Sequence, residues 1–247
     1  MLPKITQPEF EITLPVIQRK VKFRPFLVRE EKVLLIGKEG NAKDQLNTMI
    51  QILNEVVLSP KKFNARDLTS VYVDYMLMHL RSKSVNNIVK LKYKDTEDEN
   101  IYDFELDLNT IEPIFAEDRS NTIDVGPYKV ELREPTLAIL EKLELNMDDA
   151  KTITTDEVSQ EQIDGVFSLL GHCLVKVTDG DQVYDDFTVQ EAKEWFQSID
   201  IKAFESLQTW FETAPKLEHT FEYVNDLGND RKITLRGIQD FFSTAEP

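Results

Sequence analysis

The 247-residue chain holds one cysteine, eight glycines and three histidines, and each scarcity closes off a class of function. A lone thiol, Cys173, cannot form an intramolecular disulfide, so a reducing cytoplasm is the natural compartment. With glycine this rare there is no phosphate-binding P-loop and no Gly-x-Gly-x-x-Gly stretch. The histidines, His79, His172 and His219, lie far apart without an H-E-x-x-H pattern, and each reads as a helix or strand surface residue. No stretch approaches the roughly 20 apolar residues of a membrane span, and the opening "MLPKITQPEFEITLP" lacks the apolar run of a signal peptide. A soluble, cytosolic protein with no membrane span is expected. Positive charge is also short: 29 Lys and Arg stand against 45 Asp and Glu, a net charge of -16 that repels a phosphate backbone and disfavours nucleic acid as a partner. The densest basic cluster, "VIQRKVKFR", lies in an alternating strand pattern and reads as a solvated face.

Hydrophobic residues make up 41% and charged residues 30% of the chain, an ordinary globular balance for a length that can bury one sizeable core or two modest ones. After a Pro-punctuated, extended start to about Pro15, Val21 and Phe23 predict a strand that ends at Arg24-Pro25, because proline disfavours helix in the residue before it. A helix is expected over "LVREEKVLLIGKEG", with Gly37 or Gly40 as its stop. Leu46, Met49, Ile50, Leu53, Val56 and Val57 form one apolar stripe at helical spacing. Leu68, Val71, Tyr72, Tyr75 and His79 form another on a helix capped near Asn64, and the two stripes imply an antiparallel helical pair.

The period then changes to two. Val89, Leu91 and Tyr93 alternate with lysines, and Tyr102, Phe104, Leu106 and Leu108 alternate with acids across the turn "KDTEDEN", which predicts a hairpin with charged pairs on its outer face. "EPIFAEDRSNTIDVGP" reads as a loop entered from the hairpin and left at Gly126-Pro127. From "TTDEVSQEQ" an acidic first turn leads into a helix with Ile163, Val166, Phe167 and Leu170, ending near Gly171, and "KVTDGDQVYDDF" follows as a turn. Helices over Val189 to Phe196 and Ile201 to Phe211 put Trp195, Phe196, Phe204, Leu207, Trp210 and Phe211 at core spacing. The chain closes with the hairpin "HTFEYVNDLGNDRKITLRG" and "IQDFF". The fold class expected is α+β: helical bundle elements with β-hairpins and recurring strand-turn-helix units. Three segments are expected, 1–85 with the helical pair, 86–126 as a hairpin insertion, and 127–247 with the aromatic-rich helices and the last hairpin.

Candidate chemistry fails residue by residue. Cys173 adjoins His172, but adjacent side chains point apart, and a buried thiol acting as a small hydrophobe is the better reading. "TDGDQVYDDF" places Asp179 and Asp181 like the start of a calcium loop, yet Val183 and Tyr184 stand where that loop needs an oxygen ligand and a glycine. The acidic pairs Glu30-Glu31, Asp148-Asp149 and Asp185-Asp186 are expected from composition alone.

One phrase recurs. "KVKFRPFLVREEKVLLI" from Lys20, "KVELREPTLAILEKLEL" from Lys129 and "RKITLRGIQDFF" from Arg231 each run from alternating apolar residues into an arginine, a Pro or Gly, and a helix-compatible stretch. Val21, Phe23 and Arg24 align with Val130, Leu132 and Arg133, and with Ile233, Leu235 and Arg236. Proline fixes φ and glycine frees it, so both suit the turn of a strand-turn-helix unit. The arginine either satisfies helix C-terminal carbonyls, pairs with a carboxylate, or stays exposed for a partner.

The phrases "KFRPFLVREEKVLL" and "ITLRGIQDFF" resemble two signatures of T-even-type bacteriophage baseplate proteins, a family of baseplate hub subunits and hub-assembly proteins. "VELREPTLAILEKL" is similar to a strand-proline-helix phrase of tail-assembly chaperones from other contractile-tailed phages. The segment "HLRSKSVNNIVKLKYKDTEDENIYDFELDLNTIE" is similar to a family segment in which some members place a Cys-x-x-Cys zinc knuckle at the hairpin tip. Here the tip is "KDTEDEN", without cysteine, so no thiolate zinc site is possible there, and no metal, cofactor or catalytic residue is carried over.

The resemblance implies a non-enzymatic phage tail protein that acts in assembly of the baseplate hub, as hub subunit or as hub-assembly factor, through contacts with other hub and tail proteins. It would sit in the cytoplasm of the infected host or in the tail baseplate of the virion, with its oligomeric state open. The candidate partner-binding residues are Phe23, Arg24, Pro25 and Phe26 at the first join, Arg133 and Arg236 at the others, and Phe241 and Phe242, since an amphipathic chain end docks readily on another subunit. Two rival readings stand beside it: a cytosolic enzyme with a site built from scattered carboxylates and histidines, and a nucleic-acid-binding module.

Overall fold

The first strand expected from the sequence is the second arm of a hairpin. Phe10–Leu14 (β1) pairs antiparallel with Arg19–Phe23 (β2), with Ile12 opposite Val21. The structure, a computed structural model, describes residues 5–38, 42–144 and 160–242. After Arg24-Pro25 comes Val28–Lys38 (α1), which passes through Gly37, so that glycine is not its stop; Gly40 lies outside the described residues. Ala42–Val56 (α2) follows, and Val57–Ser59 (β3) returns antiparallel to β2. Leu14, Val21, Phe23, Ile50, Leu53 and Val56 are buried here, at roughly 1.5–3 kcal/mol for each large apolar side chain taken from water. The larger contact of α2 is with α1 rather than with the helix after it.

That next helix, Ser70–Ser84 (α3), is buried on nearly every face, from Val71 to Leu80, as a helix enclosed by its own unit must be. Its N-cap is Thr69; Asn64 instead caps a short 3-10 turn over residues 65–67 by accepting from the Arg66 N–H at 3.2 Å. Ile88–Lys94 (β4) and Ile101–Asp107 (β5) form the expected hairpin, with Lys90 opposite Glu105 and Lys92 opposite Asp103. The Lys90–Glu105 pair, 3.1 Å apart and well exposed, helps register more than stability.

The segment read as a loop contains a strand. Thr122–Val125 (β6) pairs with Tyr128–Leu132 (β7) across Gly126-Pro127, where Gly126 takes the left-handed φ of 60° that the tight turn requires. Leu137–Leu143 (α4) and Gln160–Cys173 (α5) follow; the acidic first turn expected before α5 and the Asp148-Asp149 pair fall outside the described residues. The helix α5 runs through Gly171 to Cys173. "KVTDGDQVYDDF" is a hairpin rather than a bare turn: Leu174–Asp179 (β8) joins Gln182–Tyr184 (β9) at Gly180, completing a sheet ordered β6-β7-β8-β9. Val189–Gln197 (α6) starts at a Thr188–Glu191 capping box, and Ile201–Glu212 (α7) at Asp200, whose carboxylate accepts from Ala203 N–H at 2.8 Å. Phe196, Leu207, Trp210 and Phe211 are buried, as their spacing predicts, while Trp195 and Phe204 are half-buried.

Glu218–Val224 (β10), Asp230–Arg236 (β11) and Gly237–Phe242 (α8) end the described chain. The class is α+β, with four antiparallel sheets among the described residues. The chain divides into two compact units, Met1–Ile114 with Lys216–Pro247, and Phe115–Pro215. Ile114 and Lys216 exchange backbone hydrogen bonds at 2.8 and 3.2 Å, so the second unit leaves and re-enters the first between two neighbouring residues. The hairpin β4–β5 and the closing hairpin therefore share the first unit.

Candidate functional site

All three copies of the repeated phrase are strand-turn-helix joins: β2 to α1, β7 to α4 and β11 to α8. The first two belong to a larger duplication, a ββααβ module occurring once in each unit. In both, a hairpin leads into two helices, and the strand after the second helix pairs back on the hairpin's second arm. The arginine N–H donates to the last residue of the second helix: Arg24 to the Val56 carbonyl at 3.1 Å, Arg133 to the Cys173 carbonyl at 2.8 Å. Each guanidinium then reaches the carbonyl one residue earlier, Arg24 to Glu55 at 3.4 Å and Arg133 to His172 at 3.1 and 3.2 Å. A helix C-terminus carries unpaired carbonyls and partial negative charge, so a fixed cation is the partner it needs.

The correspondence extends to register and core. Phe23 opposite Val57 matches Leu132 opposite Leu174, and in each copy the return strand has one extra residue, Leu58 or Val175, bulged at the same place. Leu14 and Val125, Val21 and Val130, Leu53 and Leu170, and Val56 and Cys173 are buried pair for pair. The third copy has one helix, α8, and among the described residues no second helix after it. There Gly237, at φ 62°, donates to the Leu217 carbonyl at 3.0 Å, the Arg236 N–H binds the Asp240 carboxylate at 2.7 Å, and the Arg236 side chain lies 3.3 Å from Glu218.

The candidate partner residues separate by burial. Phe23 and Phe241 are almost fully covered, and Pro25 is buried with them, so these three pack the first unit's interior. Arg24 is mostly covered and forks onto Glu30 at 2.8 and 2.9 Å, while Glu30 also caps α1 by accepting from Leu27 N–H at 2.7 Å. Their hydrogen bond raises the Arg24 pKa and lowers that of Glu30, against the opposing effect of burial. Phe26 is half-buried, with its N–H on Ser84 Oγ at 3.1 Å. Arg133 and Arg236 are exposed, and the side chain of Phe242 lies outside the described residues.

Two polar clusters have no local signature. In the second unit Arg119, almost buried, donates to Glu134 and to the Trp210 carbonyl, bonds Thr213 Oγ1 at 2.9 Å, and lies 4.3 Å from the centre of the Trp210 ring. Burial lifts the Glu134 carboxyl above its usual range, opposed by the Arg119 charge. In the first unit the tip "KDTEDEN" is held by the tip of the closing hairpin. Asp95, with no solvent exposure, accepts from the Tyr223 hydroxyl and from Arg231 at 3.1 Å. Glu97 accepts from Asn225 and Asn229 at 2.7 and 2.8 Å, and Asp98 from the Tyr102 hydroxyl at 2.6 Å and the Asp226 N–H at 3.1 Å. Below the tips Tyr102 meets Tyr223 and Phe104 meets Phe221, ring centres 4.7 and 4.8 Å apart, beside an apolar cleft that Leu91, Ile233 and Leu235 also line.

The titratable groups named in the sequence lie apart. Burial and the Glu134 charge push the Cys173 thiol far up, so it carries no thiolate at neutral pH. His79, expected at the surface, is half-buried edge-on to Tyr75, its Nε2 has no hydrogen-bond partner, and burial with the nearby Lys83 charge lowers its pKa to about 4. His172 bonds the Ser168 carbonyl at 2.8 Å and Lys142 at 3.3 Å; His219 lies against Phe221. None of the three bonds a carboxylate. Among the described residues, no three His, Cys, Asp or Glu side chains are grouped to hold a metal, and no helix is long and apolar enough to cross a membrane.

The geometry defines an α+β scaffold built on a duplicated module, with its arginines fixing helix ends and its acids clamping hairpin tips. Residues 7–243, nearly the whole chain, match the family model described as T4 bacteriophage base plate protein, and the chain belongs to that family. No curated protein and no solved structure matches.

Proposed function

We propose that this chain is a non-enzymatic component of baseplate hub assembly, acting as a hub subunit or as a factor that helps hub subunits associate. The observation that carries the reading is family membership over residues 7–243. The mechanism is protein-protein recognition, with strand edges and the exposed parts of the strand-turn-helix joins as contact faces. Of the residues at those joins, Arg133 and Arg236 are exposed and Phe26 is half-buried, so these three reach the surface where other hub and tail proteins would meet them. A net charge of -16 limits self-association and adhesion to packaged DNA.

Mass spectrometry of purified particles, run beside a pull-down from infected cells, tests this. Stoichiometric presence in tails selects the hub subunit; presence only in hub complexes from the lysate selects the assembly factor. Absence from both, or turnover of a small molecule by the pure protein that one substitution abolishes, would overturn the proposal.

A further inference from the structure

The two ββααβ copies differ at one edge. In the first, the return strand β3 is three residues long and is followed by Pro60, which has no N–H to offer a further strand. In the second, β8 runs six residues and turns back as β9, which among the described residues has no strand on its outer side. The turn residues are Gly180 and Asp181, so Asp179 and Gln182 form the hydrogen-bonded pair closing the hairpin, and the pairing then alternates. Thr178 and Val183 are the next pair, the one without mutual hydrogen bonds. Val183 therefore directs its N–H and C=O away from β8, toward the open side.

Every residue from Asp179 to Asp186 is exposed. Val183 and Tyr184 are 51% and 45% exposed, an apolar pair on opposite faces of a strand that β8 covers on one side only. Asp179, Asp181, Asp185 and Asp186 flank them in sequence; Lys176 on β8 is engaged by Glu131 at 2.8 Å and also feels the Asp185 charge. A second copy of this edge would bring like charges face to face, which disfavours self-pairing. The same charges attract a basic strand.

We propose that the open edge of β9 is the docking site for an extended, lysine- or arginine-bearing segment of a partner protein, which adds to the sheet beside Val183. Its main chain would bond the Val183 N–H and C=O, its apolar side chains would cover Val183 or Tyr184, and its cations would meet the four aspartates. The proposal rests on the reading that this chain works through protein contacts, and names one contact and its chemistry.

The test uses the full chain and a seven-residue peptide alternating lysine with valine and threonine, beside its glutamate counterpart, with binding read by fluorescence anisotropy. The lysine peptide should bind, weaken at high salt, and slow amide exchange at Val183; the glutamate peptide should not bind. Val183→Pro removes the outward N–H at an edge position where the β8 ladder does not use it, and should weaken binding by about tenfold or more with the circular dichroism spectrum unchanged. Asp185→Asn with Asp186→Asn should flatten the salt dependence while leaving the fold intact. Equal binding of both peptides, or of wild type and Val183→Pro, would overturn the site, as would a wild-type dimer in sedimentation that Val183→Pro dissolves. A chain that joins hub complexes yet ignores the lysine peptide would sink the β9 site alone; a chain absent from tails and hub complexes would sink the assembly reading whatever the peptide does.

Discussion

Arg231 and Asp95 stand 136 positions apart in sequence, yet the Arg231 Nε lies 3.1 Å from an Asp95 carboxylate that has no solvent exposure. A covered carboxylate is tolerated only when its lone pairs are met: Arg231 and Tyr223 donate to one oxygen and the Glu97 N–H to the other. Arg231→Leu should lower the Tm by several degrees in a thermal melt, and adding Asp95→Asn should recover part of the loss, because the uncompensated charge goes with it. Equal melts for wild type and Arg231→Leu would refute the clamp.

Acid should weaken the first unit in two stages. His79 titrates at about 4 when folded and near 6.5 when unfolded, so the unfolded chain binds more protons between those values and stability falls as pH drops through that window. The loss is on the order of 2 kcal/mol. His79→Leu should remove this stage from a series of urea melts. Asp95, Glu30 and Glu218 are held below their ordinary values mainly by hydrogen bonds from Tyr223, Arg24 and Lys216. Their stabilisation is complete above the unfolded carboxylate pKa of about 4 and is lost below it, a second stage that His79→Leu leaves in place.

The equivalent arginines of the duplicated module should differ in cost. Arg24→Ala leaves Glu30, which is 2% exposed, with only the Leu27 N–H and the exposed Arg29 at 3.5 Å, and should destabilise by about 2 kcal/mol in denaturant titration. Arg133→Ala leaves only carbonyls that water can reach and should cost about 1 kcal/mol or less. The reverse order would show that the Glu30 pairing adds nothing.

Gly171 lies where a Cβ would sit 2.8 Å from the Val189 carbonyl oxygen and 3.3 Å from the Lys193 backbone nitrogen, so α5 and α6 approach backbone to backbone. Gly171→Ala should force the helices apart at roughly 1–3 kcal/mol, measurable as a lower midpoint in urea. An unchanged midpoint would mean the helices shift freely.

The three joins were legible because their signal is local: an alternating strand, an arginine and a Pro or Gly within a few residues. The hairpin β4–β5 was legible for the same reason. The short strands β6 and β9 were hidden among Asp, Gly and Asn, residues with strong turn preference, and only pairing across the sheet makes strands of them. Asn64 looks like the cap of α3 in the sequence because a cap residue is visible there while the 3-10 turn after it is not. The clamps at Asp95 and Arg119 bring together residues remote in sequence, and acids in an acidic chain advertise nothing. The arginines of the repeat were visible as a pattern, but their role at helix ends needed the second helix of each module, which no short phrase contains.

Because the polypeptide exits and returns through Ile114 and Lys216, synthesis imposes an order on maturation. The ribosome delivers all of Phe115–Pro215 before the final hairpin, so the inserted body has its complete set of strands while the body around it still waits for its last pieces. Until Phe241 emerges, the slot it fills stays open and greasy, and a nascent chain stalled before that point would be the form most exposed to premature capture by its neighbours.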